Sequence, residues 1–512
     1  MSSPIRTCRA LAIALPLLCS ALLAAGCSFI VDSKIKKAGI GGACASDDDC
    51  HASTCDRGIC VAKCEVSVDC PVPSTCVKNL CQLPLKVRGV WVGVVSGGEG
   101  WTLTHQDGID GAKANLGYVD FGYKEGLIGP SVTTAIDDFV KEGAQLIIAN
   151  SFDHRDQIAA GAAKYPDVKF LICSGRANNT NMGAYFGRLE QAWFVAGKVA
   201  AQKATTRKRL GFVGSYITPE VVRHANAFLR GARSVVPEMT LEVRWVGFWY
   251  DYNQTPTFTY KLASDPNAVE EKLFAEEYAA ALLIDGGAEV VAHQMDNQRI
   301  SRYVEKHTVA PGGLKDVWTI ANDNQYGWRN YETKEPLTTA LGAVYWNWTS
   351  MYTRLLDEIH RQTWKPSEVM DTLIQDHATS TVYFEQNLSP KIGIDDTVVR
   401  AYLNEQAQKS YLEVFRGPYE TTGQRAALKE GEALSEDEWR SMCWFSDGVV
   451  EKADPTKADL TSPDQPAKVP ASDYQPADPA NTAPTTAPWI LLAVPGTPRG
   501  VAWNCSENQI KQ

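Results

Sequence analysis

The sequence has no excess of positive charge: 50 lysines and arginines stand against 60 aspartates and glutamates, a net charge of −10. Without a basic footprint, nucleic acid is excluded as an expected partner. Beyond the N-terminal segment there is no apolar run of roughly eighteen residues, so no further membrane-spanning helix is expected. Enzyme signatures are missing as well. There is no H-E-x-x-H, no G-x-S-x-G nucleophile elbow and no glycine-rich dinucleotide or P-loop spacing. The 8 histidines are scattered, with no metal-ligand spacing among them. No catalytic residue, metal or cofactor is therefore assigned.

The length and ordinary composition of the chain indicate several globular units. At roughly 100–200 residues per domain, 512 residues predict two to four. Apolar residues at 44% and charged residues at 21% exclude wholesale disorder. At the N-terminus, Arg6 and Arg9 precede a short apolar stretch from Leu11 to Ala25, too short for a comfortable span but suited to a signal peptide. It ends Leu23-Ala24-Ala25-Gly26-Cys27, which resembles a bacterial lipobox. The expectation is a signal peptide over 1–26, lipidation of Cys27 and a tether over 27–43. Acyl chains stabilise such an anchor by about 0.8 kcal/mol per buried methylene. The address expected is the bacterial cell envelope, on the outer membrane or the periplasmic face.

Export places the remaining cysteines in an oxidising compartment. Eight of them fall between 44 and 81: Cys44, Cys50, Cys55, Cys60, Cys64, Cys70, Cys76 and Cys81. Their spacing repeats after about twenty residues, which reads as an internal duplication. Each half carries acid before its second cysteine, Asp47 to Asp49 and then Asp69. A unit this small buries too little apolar surface to fold on its core alone, so a disulfide module is predicted. Which cysteine pairs with which is left open by the sequence.

From Val87 the texture changes. Apolar runs at 90–95, 145–149, 168–172, 210–214, 241–246, 289–292 and 317–321 read as buried strands. Helical patterns separate them, around 131–142, 155–164, 187–203, 218–234, 269–285, 297–306 and 347–362. Strict alternation of this kind predicts an α/β fold with parallel sheets, divided into two doubly wound lobes. Ligands in such folds bind beyond the carboxyl ends of the strands. There the sequence places aromatics beside amides and carboxylates: Trp101; Asn150-Ser151-Phe152; Trp249-Tyr250-Asp251; His293 with Asp296; Asn322-Asp323-Asn324; and Trp346-Asn347-Trp348. Rings for the faces and polar groups for the edge suit a flat, hydrogen-bonding ligand. From about 451 to 488 the composition turns to Pro, Ala, Asp and Thr, which predicts a disordered tail. The last stretch, 489–512, is apolar enough to dock.

These residues together resemble the basic membrane lipoprotein family, substrate-binding lipoproteins that include bacterial purine nucleoside receptors. The resemblance rests on Gly100-Trp101-Thr102 with His105 and Gly108, and on Pro219-Glu220-Val221-Val222-Arg223 followed by Asn226-Ala227-Phe228. Trp249-Tyr250-Asp251, His293 with Asp296, Trp346-Asn347-Trp348 and finally Met442, Trp444-Phe445 and Gly448-Val449 follow in family order. It implies a type I periplasmic-binding-protein fold over 87–450, with a hinge and three crossovers. Lobe one would be 87–206 plus 338–375, and lobe two 207–337 plus 376–450.

The resemblance also implies a non-enzymatic binding protein that hands its ligand to an ABC transporter permease. The ligand would be a purine nucleoside or base, with riboflavin a further planar candidate. Trp101, Phe152 and Trp249 would stack on it, Asp296 and Asn322 would bind its polar edges, and Trp346 would close the hinge side. An insertion from Asn253 to about Asn267, the cysteine module and the tail lie outside the family pattern. Two other functions compete with this reading: an envelope interaction protein working through the cysteine module, and a nucleosidase-type enzyme.

Overall fold

The computed structural model describes residues 37–51, 53–95, 100–177, 180–215, 218–246, 248–250, 256, 258–310, 312–421, 427–442 and 444–449, with the pair Leu491–Leu492. The expected signal peptide, Cys27, residues 96–99, Asp251 and nearly all of the expected tail lie outside the described residues.

The cysteine module is built as the duplication predicts. Each half is a short hairpin, β1 (Thr54–Asp56) with β2 (Ile59–Val61), then β3 (Thr75–Val77) with β4 (Leu80–Gln82). Within each half the first cysteine bonds the third and the second bonds the fourth: Cys44–Cys55 and Cys50–Cys60, then Cys64–Cys76 and Cys70–Cys81. The repeated acid has a structural task. The Asp49 carboxylate accepts the amides of Ala45 and Ser46, and Asp69 accepts those of Glu65 and Val66. Both carboxyls are held below the usual range by these backbone hydrogen bonds.

Lobe one begins with β5 (Leu85–Val90), α1 (Trp101–Leu116), β6 (Val119–Lys124), α2 (Pro130–Lys141), β7 (Leu146–Ala149), α3 (Arg155–Lys164), β8 (Lys169–Cys173) and β9 (Met182–Gly187). The chain then enters lobe two through α4 (Glu190–Ala201), β10 (Arg209–Gly214), α5 (Pro219–Arg233), β11 (Thr240–Trp245) and the hairpin β12 (Phe258–Tyr260) and β13 (Glu271–Leu273). Next come α6 (Ala275–Asp285), β14 (Val290–His293), α7 (Arg299–Val309), β15 (Trp318–Asp323) and β16 (Ala340–Trp346). A return to lobe one supplies α8 (Trp348–His360) and β17 (Glu368–Asp371). Lobe two is then completed by β18 (Val382–Gln386), α9 (Asp396–Ala407), the short α10 (Glu436–Arg440) and β19 (Leu491–Leu492).

The lobe-one sheet has the order β17-β9-β8-β7-β5-β6 and is parallel throughout. The lobe-two sheet runs β18-β16-β15-β14-β10-β11-β19, with antiparallel strands only at its two edges. Local chemistry sets the helix ends. In α5, for example, the Thr218 side chain accepts the Val221 amide, Pro219 opens the first turn, and Arg230 and Arg233 close the last.

Three differences from the sequence reading have physical causes. The first strand runs over Leu85–Val90, not 90–95. The apolar run is broken in this stretch by Lys86 and Arg88, whose charged ends leave the core: Arg88 meets Glu142 at 3.2 Å and Lys86 donates to the Glu142 carbonyl. Lobe one does not extend to 206, because α4 packs along α5 in lobe two. Nor does lobe one resume at 338, because β16 pairs with β15 and β18 in the lobe-two sheet.

The chain therefore changes lobe at 187–190, 346–348 and 371–382. These crossings converge on Gly187, where a Cβ would lie 2.4 Å from Val382 and 2.8 Å from Trp346. The Arg188 amide donates to the Asp371 carbonyl at 2.8 Å, tying two crossing segments together.

The module is fastened to lobe one at the end remote from these crossings. Arg361, 6% exposed, donates to Asp357 from Nε (2.8 and 2.9 Å) and approaches Asp56 of the module. Tyr118 donates to the same Asp357, and its ring stacks on His360, which bonds the Leu83 carbonyl.

Candidate functional site

In a doubly wound sheet, the crevice opens where strand order reverses. In lobe one that point is β5, flanked by β6 and β7; in lobe two it is β10, flanked by β11 and β14. The segments leaving β5 and β14 meet face to face. Gly100, at φ 80°, lies so close to Asp296 that a Cβ there would sit 1.9 Å from the Asp296 carbonyl oxygen. Only a residue without a side chain permits that approach. Beside it, the Thr104 hydroxyl on α1 donates to the Asp323 carbonyl at 2.7 Å. The two switch points thus face one another across the lobe boundary.

Trp101 opens α1 at this boundary. Its indole N–H donates to the Asn150 carbonyl beyond β7 at 2.6 Å. Its ring stands edge-on to Trp346 (centroids 5.1 Å), Trp348 (5.8 Å) and His105 (4.5 Å). Trp346 and Trp348 lie nearly parallel, 5.9 Å apart, and both are buried. Trp346 is thus part of the packed wall behind Trp101, at the middle lobe crossing.

On the lobe-two side the Asp296 amide donates to the Trp249 carbonyl at 3.0 Å, so Trp249 joins the site through its backbone. Asn322 donates to the Asp323 carboxyl. The buried carboxyls of Asp323 and Asp296 lie close enough for the charge of one to disfavour ionisation of the other. Burial raises the Asp323 carboxyl far above its usual range, and the neighbouring Asp296 charge adds to the effect. Burial also raises Asp296. Glu220, at the start of α5, accepts from Gln294 at 3.0 Å and is pushed up to about 7, again chiefly by burial.

Of the residues singled out in the sequence, Trp101, Asp296, Asn322 and Trp346 share this boundary. Phe152 sits on the turn after Asn150, where its ring carries the Arg155 guanidinium at 4.3 Å. Sequence reasoning missed Thr104, the Asp323 carboxyl as a partner of Asp296, and Glu220 as an acid facing the same region. Thr104 had a legible signal, being one helical turn beyond Gly100 on the face that Trp101 begins.

Comparison with known proteins bears on this architecture. Residues 86–266 match the family model described as ABC transporter substrate-binding protein PnrA-like. The matched stretch covers β5 to β9 of lobe one and the first strands of lobe two, and over it the chain is similar to the Bmp family. A purine-binding protein of Brucella abortus is 26% identical over 371 residues, covering 72% of this chain and 93% of its own. A Haloferax volcanii protein, provisionally named for glucose binding by an ABC transporter, is 29% identical over 280 residues. That match spans 54% of this chain and 62% of the Haloferax protein. Among solved structures, a solute-binding protein of an ABC transporter system from Conexibacter woesei aligns at 18% identity and a TM-score of 0.48. It covers 63% of this chain and 95% of that one. The two sheets with their three crossings, together with the family match, make this an α/β periplasmic-binding-protein fold, preceded by a disulfide module.

Proposed function

We propose that this protein captures a small planar ligand, a purine nucleoside or nucleobase, between its two lobes and passes it to an ABC-type transporter without chemical change. The observation that carries the reading is a set of buried polar atoms, at the carboxyl ends of the lobe-two strands, that have no hydrogen-bond partner among the described residues. They are Ser215 Oγ, His293 Nδ1, Asn322 Oδ1 and Trp346 Nε1, one from each of four strand ends. An unmet buried polar group costs about 1–3 kcal/mol, so such groups collected at one sheet edge favour a polar guest. Trp101, partly exposed beside them, offers an indole surface. The site has three carboxyls, Glu220, Asp296 and Asp323, which favours a ligand rich in N–H and O–H donors over an anionic one. The Brucella relative is named purine-binding, and a further relative from Lactococcus lactis is named nucleoside-binding.

Cys27 would carry the lipid anchor, holding the protein at the envelope surface. Growth with a labelled fatty acid tests this: label should follow the wild-type chain and be lost in Cys27→Ala. For the ligand, the protein is purified without added nucleoside, denatured, and the released small molecules are identified by mass spectrometry. A purine nucleoside or base in near-stoichiometric amount is the expected result. A sugar or an anionic metabolite in that amount would overturn the reading.

A further inference from the structure

The two halves of the cysteine module share one disulfide frame but not one surface. Between its first two cysteines the first half reads Ala45-Ser46-Asp47-Asp48-Asp49, followed beyond Cys50 by His51-Ala52-Ser53. The second half reads Glu65-Val66-Ser67-Val68-Asp69, followed beyond Cys70 by Pro71-Val72-Pro73. Val66, Val68 and Val72 are 56%, 90% and 95% exposed. Single apolar side chains on a surface are ordinary. Three on one short loop, where the sister loop is acidic and polar, form an unpartnered apolar tip. The hairpin of the same half is what meets lobe one: Val77 lies against Gly117 at the end of α1.

The loop is fitted to leave water. Cys64–Cys76 closes its ends and Cys70–Cys81 pins its middle, so docking orders little that is not already fixed. The Asp69 carboxylate accepts the amides of Glu65 and Val66. The amides of Asp69, Cys70 and Ser74 donate to carbonyls of the same loop, and Pro71 and Pro73 have no N–H to satisfy. Backbone groups paired in this way lower the cost of approaching hydrocarbon. The charges of this half, Lys63 and Lys78 against Glu65 and Asp69, cancel, which leaves apolar contact as the driving term. With Cys27 anchored, a bilayer is within reach. The chain from Cys27 to Lys37, fully extended, spans at most about 36 Å, and it enters the module at once, with Ala38 bridged to Cys50.

We propose that Val66, Val68 and Val72 are a membrane-docking tip that enters the headgroup–acyl boundary of the bilayer holding the Cys27 anchor. This rests on the anchor reading above and goes beyond it. The module itself touches lipid and, being fastened to lobe one through Arg361, sets how the lobes stand over the membrane.

The test uses the mature lipidated chain on phosphatidylcholine vesicles whose acyl chains carry bromine. A fluorescent amino acid replaces Val72, or Asp48 in the sister loop as a control. Bromine should quench the probe at 72 and spare the probe at 48. Quenching at 72 should persist in molar salt and be lost when Val66→Asp and Val68→Asp are added. A probe at 72 that is unquenched on vesicles to which the chain is bound overturns the proposal and leaves the anchor reading standing. So does a probe that responds only to protein concentration, which would assign the tip to a second copy. Quenching that needs phosphatidylglycerol and vanishes in molar salt also overturns it, because charge would then make the contact. If the chain takes up no labelled fatty acid and stays off the vesicles, the anchor reading fails and the proposal falls with it.

A second measurement needs no substitution in the loop. Backbone hydrogen exchange over 65–76 should be slower in the lipidated wild type on vesicles than in the Cys27→Ala chain in solution, with exchange over 45–56 unchanged. Equal exchange over 65–76 in the two states overturns the proposal.

Discussion

The Thr104 hydroxyl in lobe one donates to the Asp323 carbonyl in lobe two at 2.7 Å, joining the lobes directly over the carboxyl pair. A hinged binding protein gains affinity from whatever favours its closed form, so this bond belongs to ligand binding more than to folding. Thr104→Val keeps the shape and removes the donor. At about 1 kcal/mol for one hydrogen bond, ligand affinity should fall roughly fivefold. The melting temperature of the unliganded protein should stay essentially unchanged; calorimetry and thermal unfolding check the two halves.

Gly100 makes a sharper demand. A methyl group there would collide with the Asp296 carbonyl, 1.9 Å away, and the left-handed φ of 80° disfavours alanine as well. Gly100→Ala should therefore bar full closure. Small-angle scattering should show that the variant no longer contracts with ligand, and affinity should fall at least about tenfold, corresponding to roughly 1.4 kcal/mol.

The buried acids set a pH dependence whose sign follows from their shifts. Glu220 is raised to about 7, and Asp296 and Asp323 are raised as well, all chiefly by burial. Groups raised in the folded state bind protons more tightly there than when unfolded. Their contribution is fully present below the unfolded carboxyl range and is lost as pH rises through the folded values. Between about pH 5 and 7.5 this carboxyl contribution should fall as pH rises. It is opposed by the buried histidines His105, His154, His224 and His293, which burial lowers, so it is read as the difference in pH slope between wild type and an Asp323 variant. Asp357, Glu405 and Glu436 are lowered, so their contribution is lost only in stronger acid. Asp323→Asn retains the shape of the protonated acid and should flatten the slope. If it gains about 1 kcal/mol at pH 7.5, the melting point rises by roughly 2–4 °C.

The module's attachment turns on Arg361, whose guanidinium serves Asp357 and Asp56 together. Arg361→Ala strips Asp357 of its principal cation and should cost about 2 kcal/mol at the junction. Hydrogen exchange should speed up in the module and at the end of α8, while the lobe-two sheet keeps its protection.

How far these features were legible in the sequence follows from what each depends on. The cysteine repeat announced a disulfide module because a duplicated spacing is local, yet the pairing needed the hairpins that set Cys55 opposite Cys60 and Cys76 opposite Cys81. The buried strands of both sheets were readable as apolar runs. Leu85–Val90 was misplaced because Lys86 and Arg88 belong to a strand whose charged side chains escape to the margin. The lobe boundaries implied by the family resemblance were misplaced at α4 and β16, because a resemblance carried by scattered motifs does not say which sheet each element joins.

In the site, Trp101 and Asp296 stood out as strand-end residues. The encounter of Gly100 with Asp296, the nearness of the buried Asp296 and Asp323 carboxyls, and the Thr104 bond to the Asp323 carbonyl arise between segments far apart in sequence. No local pattern marks them.

The most direct test is to titrate a purine nucleoside into ligand-stripped wild type and Trp101→Ala by calorimetry. The account predicts saturable one-to-one binding far tighter than millimolar, weakened in Trp101→Ala by at least the roughly 0.5–1.5 kcal/mol that an aromatic pair contributes. It is contradicted if adenosine, inosine, guanosine and their free bases all bind no better than about millimolar, or if Trp101→Ala binds as well as wild type.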